Sequence, residues 1–304
     1  MQATTDPSRL LAQRAHDASP RCTWRTARYE IALELPQVMG IINVTPDSFS
    51  DGGVHADARA ALQHAERLLE EGAAILDVGA ESTRPGSAVV PQEEEWRRLQ
   101  PVLRELVQWG VPISVDTYKA DTMRAALDLG VDIINDVWAL RQPGAVEVVA
   151  RHPQCGVCLM HMHGEPQTMQ LAPMHGDVPS QVLAFLQERM QALLNEGVAR
   201  QRIVLDPGIG FGKTVQQNFA LLAVQQDWQP LGLSWLVGWS RKSSLGAVTG
   251  REVGQRQSAS VAAAVLAVQQ GARVVRVHDV AATVDALKVW RAMEDARAAR
   301  NATF

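Results

Sequence analysis

The side chains of this 304-residue chain best able to do chemistry stand at or just beyond the ends of short apolar runs: Asn43, Thr83, Asp116, Asn135, His161, Asp206, Lys242, Arg276 and His278. Asp116, Asp206 and Asn135 supply two carboxylates and a carboxamide. That set suits a planar heterocycle presenting a 2-amino group and a ring N–H, because a carboxylate accepts two parallel N–H bonds and so fixes orientation. A plain ion pair with Lys242 is the simpler reading of the same acids. Arg276, His278 and Asn43 suit a multiply charged anion, and Asn43 adds an oxygen of the kind a hard cation such as Mg2+ takes. A polar residue closing one strand is an ordinary helix cap. Polar endings on eight successive runs, with Lys and Arg among them, point to a shared task.

The elements that must carry these residues follow from the pattern. Apolar, β-branched runs at 38–44, 74–78, 112–116, 132–136, 156–161, 202–206, 235–239 and 273–278 read as strands buried on both faces. Between and after them, helical spacing is expected near 57–71, 92–109, 119–129, 144–151, 179–196, from 214, over 258–270 and from 280. Eight strands alternating with eight helices predict an α/β fold, a single (β/α)8 barrel rather than a doubly wound sheet. In such a barrel the strand ends share one mouth at the C-terminal face. Residues 23–37 read as a strand or hairpin capping the barrel floor. The polar residues 1–22 read as a flexible, disordered extension without a secretory signal, leaving 23–304 as the barrel domain.

Composition sets limits. Apolar residues make up 46% of the chain and the net charge is −4, which supports a large core and argues against non-specific nucleic-acid binding. No uninterrupted apolar run reaches ~18 residues, so no membrane span is expected. Three cysteines do not pair evenly, and a reducing cytoplasm is the expected setting. Two attractive patterns fail. The run from Gly208 to Thr214 lacks the first glycine of a phosphate-binding P-loop, because Pro207 stands there. Cys155, Cys158 and His161 have zinc-like spacing, but on a strand the two cysteines face opposite sides.

Taken together, the stretches 39–53, 81–86, 114–119, 134–136, 206–213, 240–243 and 276–279 fall in order at successive strand ends. In these stretches the chain resembles the dihydropteroate synthase family of folate synthesis, over about residues 38–290. The resemblance implies condensation of 6-hydroxymethyl-7,8-dihydropterin diphosphate with p-aminobenzoate, assisted by Mg2+. It implies that Asp116, Asn135, Asp206 and Lys242 hold the pterin, with Met160 and Phe211 as apolar walls. Arg276 and His278, and Asn43 through the metal, would hold the diphosphate. Phe49, Thr83, Arg84, Pro85 and Ser240 would frame p-aminobenzoate, and Asp116, Lys242 and Arg276 would carry catalysis. A homodimer through the last helices and competition by sulfonamides are implied as well. Ala80, where a glycine is usual, and Trp239, where a smaller residue is usual, are departures beside two of these groups. A pterin-dependent methyltransferase would not require the groups at 240–242 and 276–278, and a non-catalytic pterin-binding paralogue would not need Asn43, Lys242 and Arg276 together.

Overall fold

The computed structural model describes residues 22–45, 53–82, 87–165 and 168–302. It opens with an antiparallel hairpin, β1 (Thr23–Arg25) and β2 (Glu30–Ala32), with Trp24 opposite Ile31. Eight parallel strands then close into a barrel: β3 (Gln37–Asn43), β4 (Ile75–Gly79), β5 (Ile113–Asp116), β6 (Ile133–Asp136), β7 (Gly156–Met160), β8 (Ile203–Asp206), β9 (Ser234–Val237) and β10 (Ala272–Val277). They pair in chain order, and β10 closes on β3.

Alternation along the strands sorts their side chains into two cores. Met39, Ile75, Ile133, Cys158, Val204, Leu236 and Val274 fill the lumen, and Trp24, Ile31 and Leu33 of the hairpin segment plug it from below. The other face of each strand packs against the surrounding helices. Cys155 falls in this outer layer and Cys158 in the lumen, so the two face opposite ways. Trp24 is fully buried and donates its indole N–H to the Arg202 carbonyl at 3.0 Å. At the hairpin turn, Arg28 reaches the buried Asp132 with Nε and Nη2, at 2.9 and 2.6 Å.

The helices are α1 (Gly53–Glu70), α2 (Gln92–Leu106), α3 (Ala120–Leu129), α4 (Ala145–Arg151), α5 (Val178–Asn195), α6 (Val215–Val224), α7 (Ser243–Thr249), α8 (Gln257–Gln269) and α9 (Val280–Ala302). Local chemistry explains several boundaries. Gly130 ends α3 in a left-handed conformation, and Thr214 with Gln217 forms a reciprocal capping box at the start of α6. The connection between β9 and β10 departs from strict alternation. It holds both α7 and α8, because Gly250 terminates the first helix and a polar turn intervenes before the second. On α9 the expected stripe forms: Val280 and Leu287 are buried, and Val284 and Trp290 pack beside them.

Candidate active site

Strand register assembles the mouth. Asn43, Gly79, Asp116 and Asn135 are successive neighbours across β3 to β6, and Met160 pairs with Asp206 across β7 and β8. Gly79 leaves this layer open, since a Cβ there would stand 3.3 Å from the Asp116 Cβ. One layer deeper, Ile41, Asp77 and Ser114 are neighbours in the same way. Arg276, on β10, completes the ring. Its Nη2 donates to Asp116 Oδ2 at 2.8 Å and its Nε to Asp77 Oδ2 at 2.5 Å. Asn135 Nδ2 donates to the same Asp77 oxygen at 3.1 Å.

The sequence assigns Arg276 to an anion and leaves Asp116 open to a pair with Lys242; Arg276 lies between two carboxylates, Asp77 and Asp116. Burial pushes the Asp116 carboxyl up from its ordinary range; Arg276 opposes that rise and Asp77 adds to it. Asp206 is likewise raised, to about 6, by burial, against the Gly208 N–H that it accepts at 2.7 Å and the charges of Lys242 and Lys213. Such carboxyls gain from any partner that favours the ionised form, N–H donors among them.

An apolar wall borders this polar floor. Met160 and Phe211 cluster with Val137, Met162 and Met169, against Tyr118 and Trp138. Lys242 lies over the Phe211 ring, its Nζ 4.1 Å from the centroid. Phe211 is placed by a loop built on Lys213, which is buried and donates to the carbonyls of Gly208 and Phe211 at 2.8 and 3.1 Å. Burial lowers the Lys213 ammonium to about 7. His161, one of the strand-end residues, belongs to this support: its Nδ1 is 2.9 Å from Lys213 Nζ and its ring packs edge-on to Phe185. The wall's other edge is strained. Ala139 and Leu140 have φ of 52° and 58°, held there by Asp136, which accepts from the backbone N–H of Trp138 and Leu140 at 2.7 and 2.6 Å.

Ser240 and His278 meet at the mouth, Oγ to Nδ1 at 3.0 Å, and the His278 backbone N–H also donates to that hydroxyl. Phe49, Thr83, Arg84 and Pro85 lie outside the described residues. The approach to residues 83–86 is anchored, however. Glu81 takes both the Tyr118 hydroxyl at 3.0 Å and the Lys119 ammonium, and Arg98 Nη1 donates to the Ala80 carbonyl at 3.1 Å. Sequence reasoning missed Asp77, Glu81 and Lys213 as parts of the site. Asp77 had a visible signal, a lone acid in the middle of an apolar strand.

A polar floor that matches a 2-amino heterocycle, an apolar wall beside it and cations at the rim define a pterin-binding barrel. Residues 39–278 match the family described as pterin binding enzymes. The chain is 52% identical over 279 residues to a dihydropteroate synthase of Neisseria meningitidis serogroup B, covering 90% of this chain and 98% of that protein. Among solved structures, it resembles Xanthomonas albilineans dihydropteroate synthase with 4-aminobenzoic acid (TM-score 0.85, 51% identity, 90% and 98% of the two chains). It also resembles Burkholderia cenocepacia dihydropteroate synthase complexed with 7,8-dihydropteroate (TM-score 0.83, 50% identity, 91% and 98%). The chain belongs to the dihydropteroate synthase family.

Proposed function

We propose that the barrel joins the methylene carbon of 6-hydroxymethyl-7,8-dihydropterin diphosphate to the amine nitrogen of p-aminobenzoate. The observation that carries this reading is the single mouth in which Asp116, Asn135 and Asp206 face the Met160–Phe211 wall with Arg276 and Lys242 at hand. Asp116, Asn135 and Asp206 take the N–H edge of the pterin, and Lys242 takes a ring acceptor. Met160 and Phe211 cover the ring faces and exclude water. The C–O bond to diphosphate breaks first, leaving a methylene cation delocalised into the pterin, which the Asp116 carboxylate stabilises. The neutral amine then attacks, a C–N bond forms, and one amine proton leaves. Arg276, His278 and Lys242 balance the departing charge. Phe49, Thr83, Arg84, Pro85 and Ser240 frame p-aminobenzoate.

Mg2+ fits the residues present. Asn43, in register with Gly79, offers one carboxamide oxygen at the end of β3, and the described residues hold no cluster of three metal-ligating side chains. One protein ligand with substrate oxygens as the rest is a usual Mg2+ arrangement. When bound, the ion would neutralise the diphosphate as it leaves.

The test is diphosphate release from the purified protein with the pterin diphosphate and Mg2+, with and without p-aminobenzoate. Release coupled to dihydropteroate, inhibited by a sulfonamide in competition with p-aminobenzoate, is expected; tight pterin binding with neither product overturns the reading. The proposed setting is the cytoplasm, and among the described residues no helix is long and apolar enough to cross a membrane. Residues 23–304 are read as one pterin-binding unit. A homodimer is proposed through α7 to α9, whose outer faces expose Val248, Leu266, Val289 and Met293. Sedimentation at the mass of one chain would sink that assembly.

A further inference from the structure

Asp77 is fully buried in the lumen, one layer beneath the proposed pterin floor. One of its oxygens, Oδ2, accepts from both Arg276 Nε and Asn135 Nδ2. The other, Oδ1, has no hydrogen-bond partner among the described residues, and neither does the buried hydroxyl of Ser114, its in-register neighbour on β5. A buried polar atom left unpaired is destabilising. An asparagine at 77 would keep the size of the side chain and a carbonyl for Arg276 and Asn135. What the acid supplies and the amide would not is negative charge. That charge acts on Arg276, the cation shared with Asp116.

We propose that Asp77 is a positioning residue for the reaction: it fixes Arg276 by its Nε edge and Asn135 by its amide, and shares the Arg276 charge so that Asp116 stays available to the pterin. The proposal rests on the reading of the mouth as a pterin site. Besides Arg276 from β10 and Asp77 from β4, Asp116 feels the charges of Asp136 on β6 and Glu95 on α2, and Asp206 of β8 acts on Arg276. Of these, Asp77 alone shares its cation directly. Without the Asp77 charge, Arg276 would pair with Asp116 alone and hold it more firmly ionised.

The test is Asp77→Asn in the full chain, read as dihydropteroate formation against pH. The expected result is kcat/KM for the pterin diphosphate down about tenfold or more in a protein that is still folded at the assay temperature. The KM for p-aminobenzoate should stay within about twofold, and the acid limb of the profile should move to lower pH by about half a unit or more, because that limb reports the proton affinity of the essential carboxyl. Ser114→Ala should leave the limb in place. An unmoved limb in Asp77→Asn, or activity lost only in step with stability, overturns the proposal. Should Asp77→Asn fail to fold, arginine-labelled NMR of the unsubstituted protein decides. An Arg276 Nε–H that stays protected from exchange with 6-hydroxymethylpterin bound supports the pair, and one that becomes exposed overturns it. Failure of the functional reading is seen separately, as absence of dihydropteroate from the unsubstituted protein.

Discussion

Asp116 is asked to do two things that pull apart. Accepting N–H bonds from the pterin is work an amide could partly share, whereas stabilising a methylene cation requires charge. Asp116→Asn should therefore lower kcat by about a hundredfold, the scale of losing one electrostatic contact to a transition state. The dissociation constant for 6-hydroxymethylpterin should rise far less. Stopped-flow product formation and fluorescence titration on the same preparation separate the two, and equal losses in both would remove the cation-stabilising role. The simpler expectation for this residue, an ion pair with Lys242, is answered by Arg276, which donates to Asp116 at 2.8 Å. Which cation an acid meets across a barrel depends on register and layer, and those are long-range facts that no local spacing encodes.

At the scale of the element, the connection from β8 to α6 shows how a loop becomes part of a wall. Gly208 has a φ of +68°, and a Cβ there would lie 1.8 Å from the His161 carbonyl oxygen, so both conformation and space demand glycine. Gly208→Ala should destabilise the fold by about 2 kcal/mol or more through backbone strain and the displaced carbonyl. It should also weaken pterin binding, because the same turn aims the Gly208 N–H at Asp206 and carries Phe211. Thermal melting and pterin titration check the pair of effects; unchanged binding would mean that the loop does not set the wall. Strand ends were legible because each couples an apolar run to a polar stop, and Asn43, Asp116, Asn135 and Asp206 do take their places in one mouth. Asp77 was not singled out, because a mid-strand acid is polar where the pattern reads apolar, and its partners lie 58 and 199 residues away in sequence. The second helix between β9 and β10 was hidden for a different reason: α7 is a seven-residue helix closed by Gly250, too short to show periodicity. The ring of eight strands survived that extra helix, since closure depends on strand order alone.

The whole molecule carries its site as an electrostatic load. Burial raises Asp136 to about 7 and Asp206 to about 6, and raises Asp116 as well. A carboxyl raised in the folded state binds its proton more tightly there than in the unfolded chain. Its contribution to stability is complete below the ordinary carboxylate range and is lost as pH climbs through the folded value. Lys213, lowered by burial to about 7, acts in the opposite sense higher up, because the unfolded chain binds more protons than the folded one between there and the ordinary lysine range. Histidines lowered by burial, His161 foremost, oppose this below the ordinary imidazole range, but among the described residues they do not outnumber the raised acids. The ligand-free protein should therefore melt at progressively lower temperature as pH rises from about 5 to 7, and level off or recover above that. A pterin whose N–H groups meet ionised Asp116 and Asp206 offsets the same load, so the stabilisation given by saturating 6-hydroxymethylpterin should widen over the same window. Asp136→Asn, which leaves Asp116 and Asp206 themselves in place, should flatten the slope of the ligand-free protein while the ligand-induced gap still widens with pH. Calorimetric melts from pH 5 to 8.5 with and without the pterin read all three quantities. A melting temperature that climbs steadily from pH 5 to 7 in the free protein would mean that these acids are solvated rather than loaded, and that the mouth is not organised around carboxyls waiting for N–H donors.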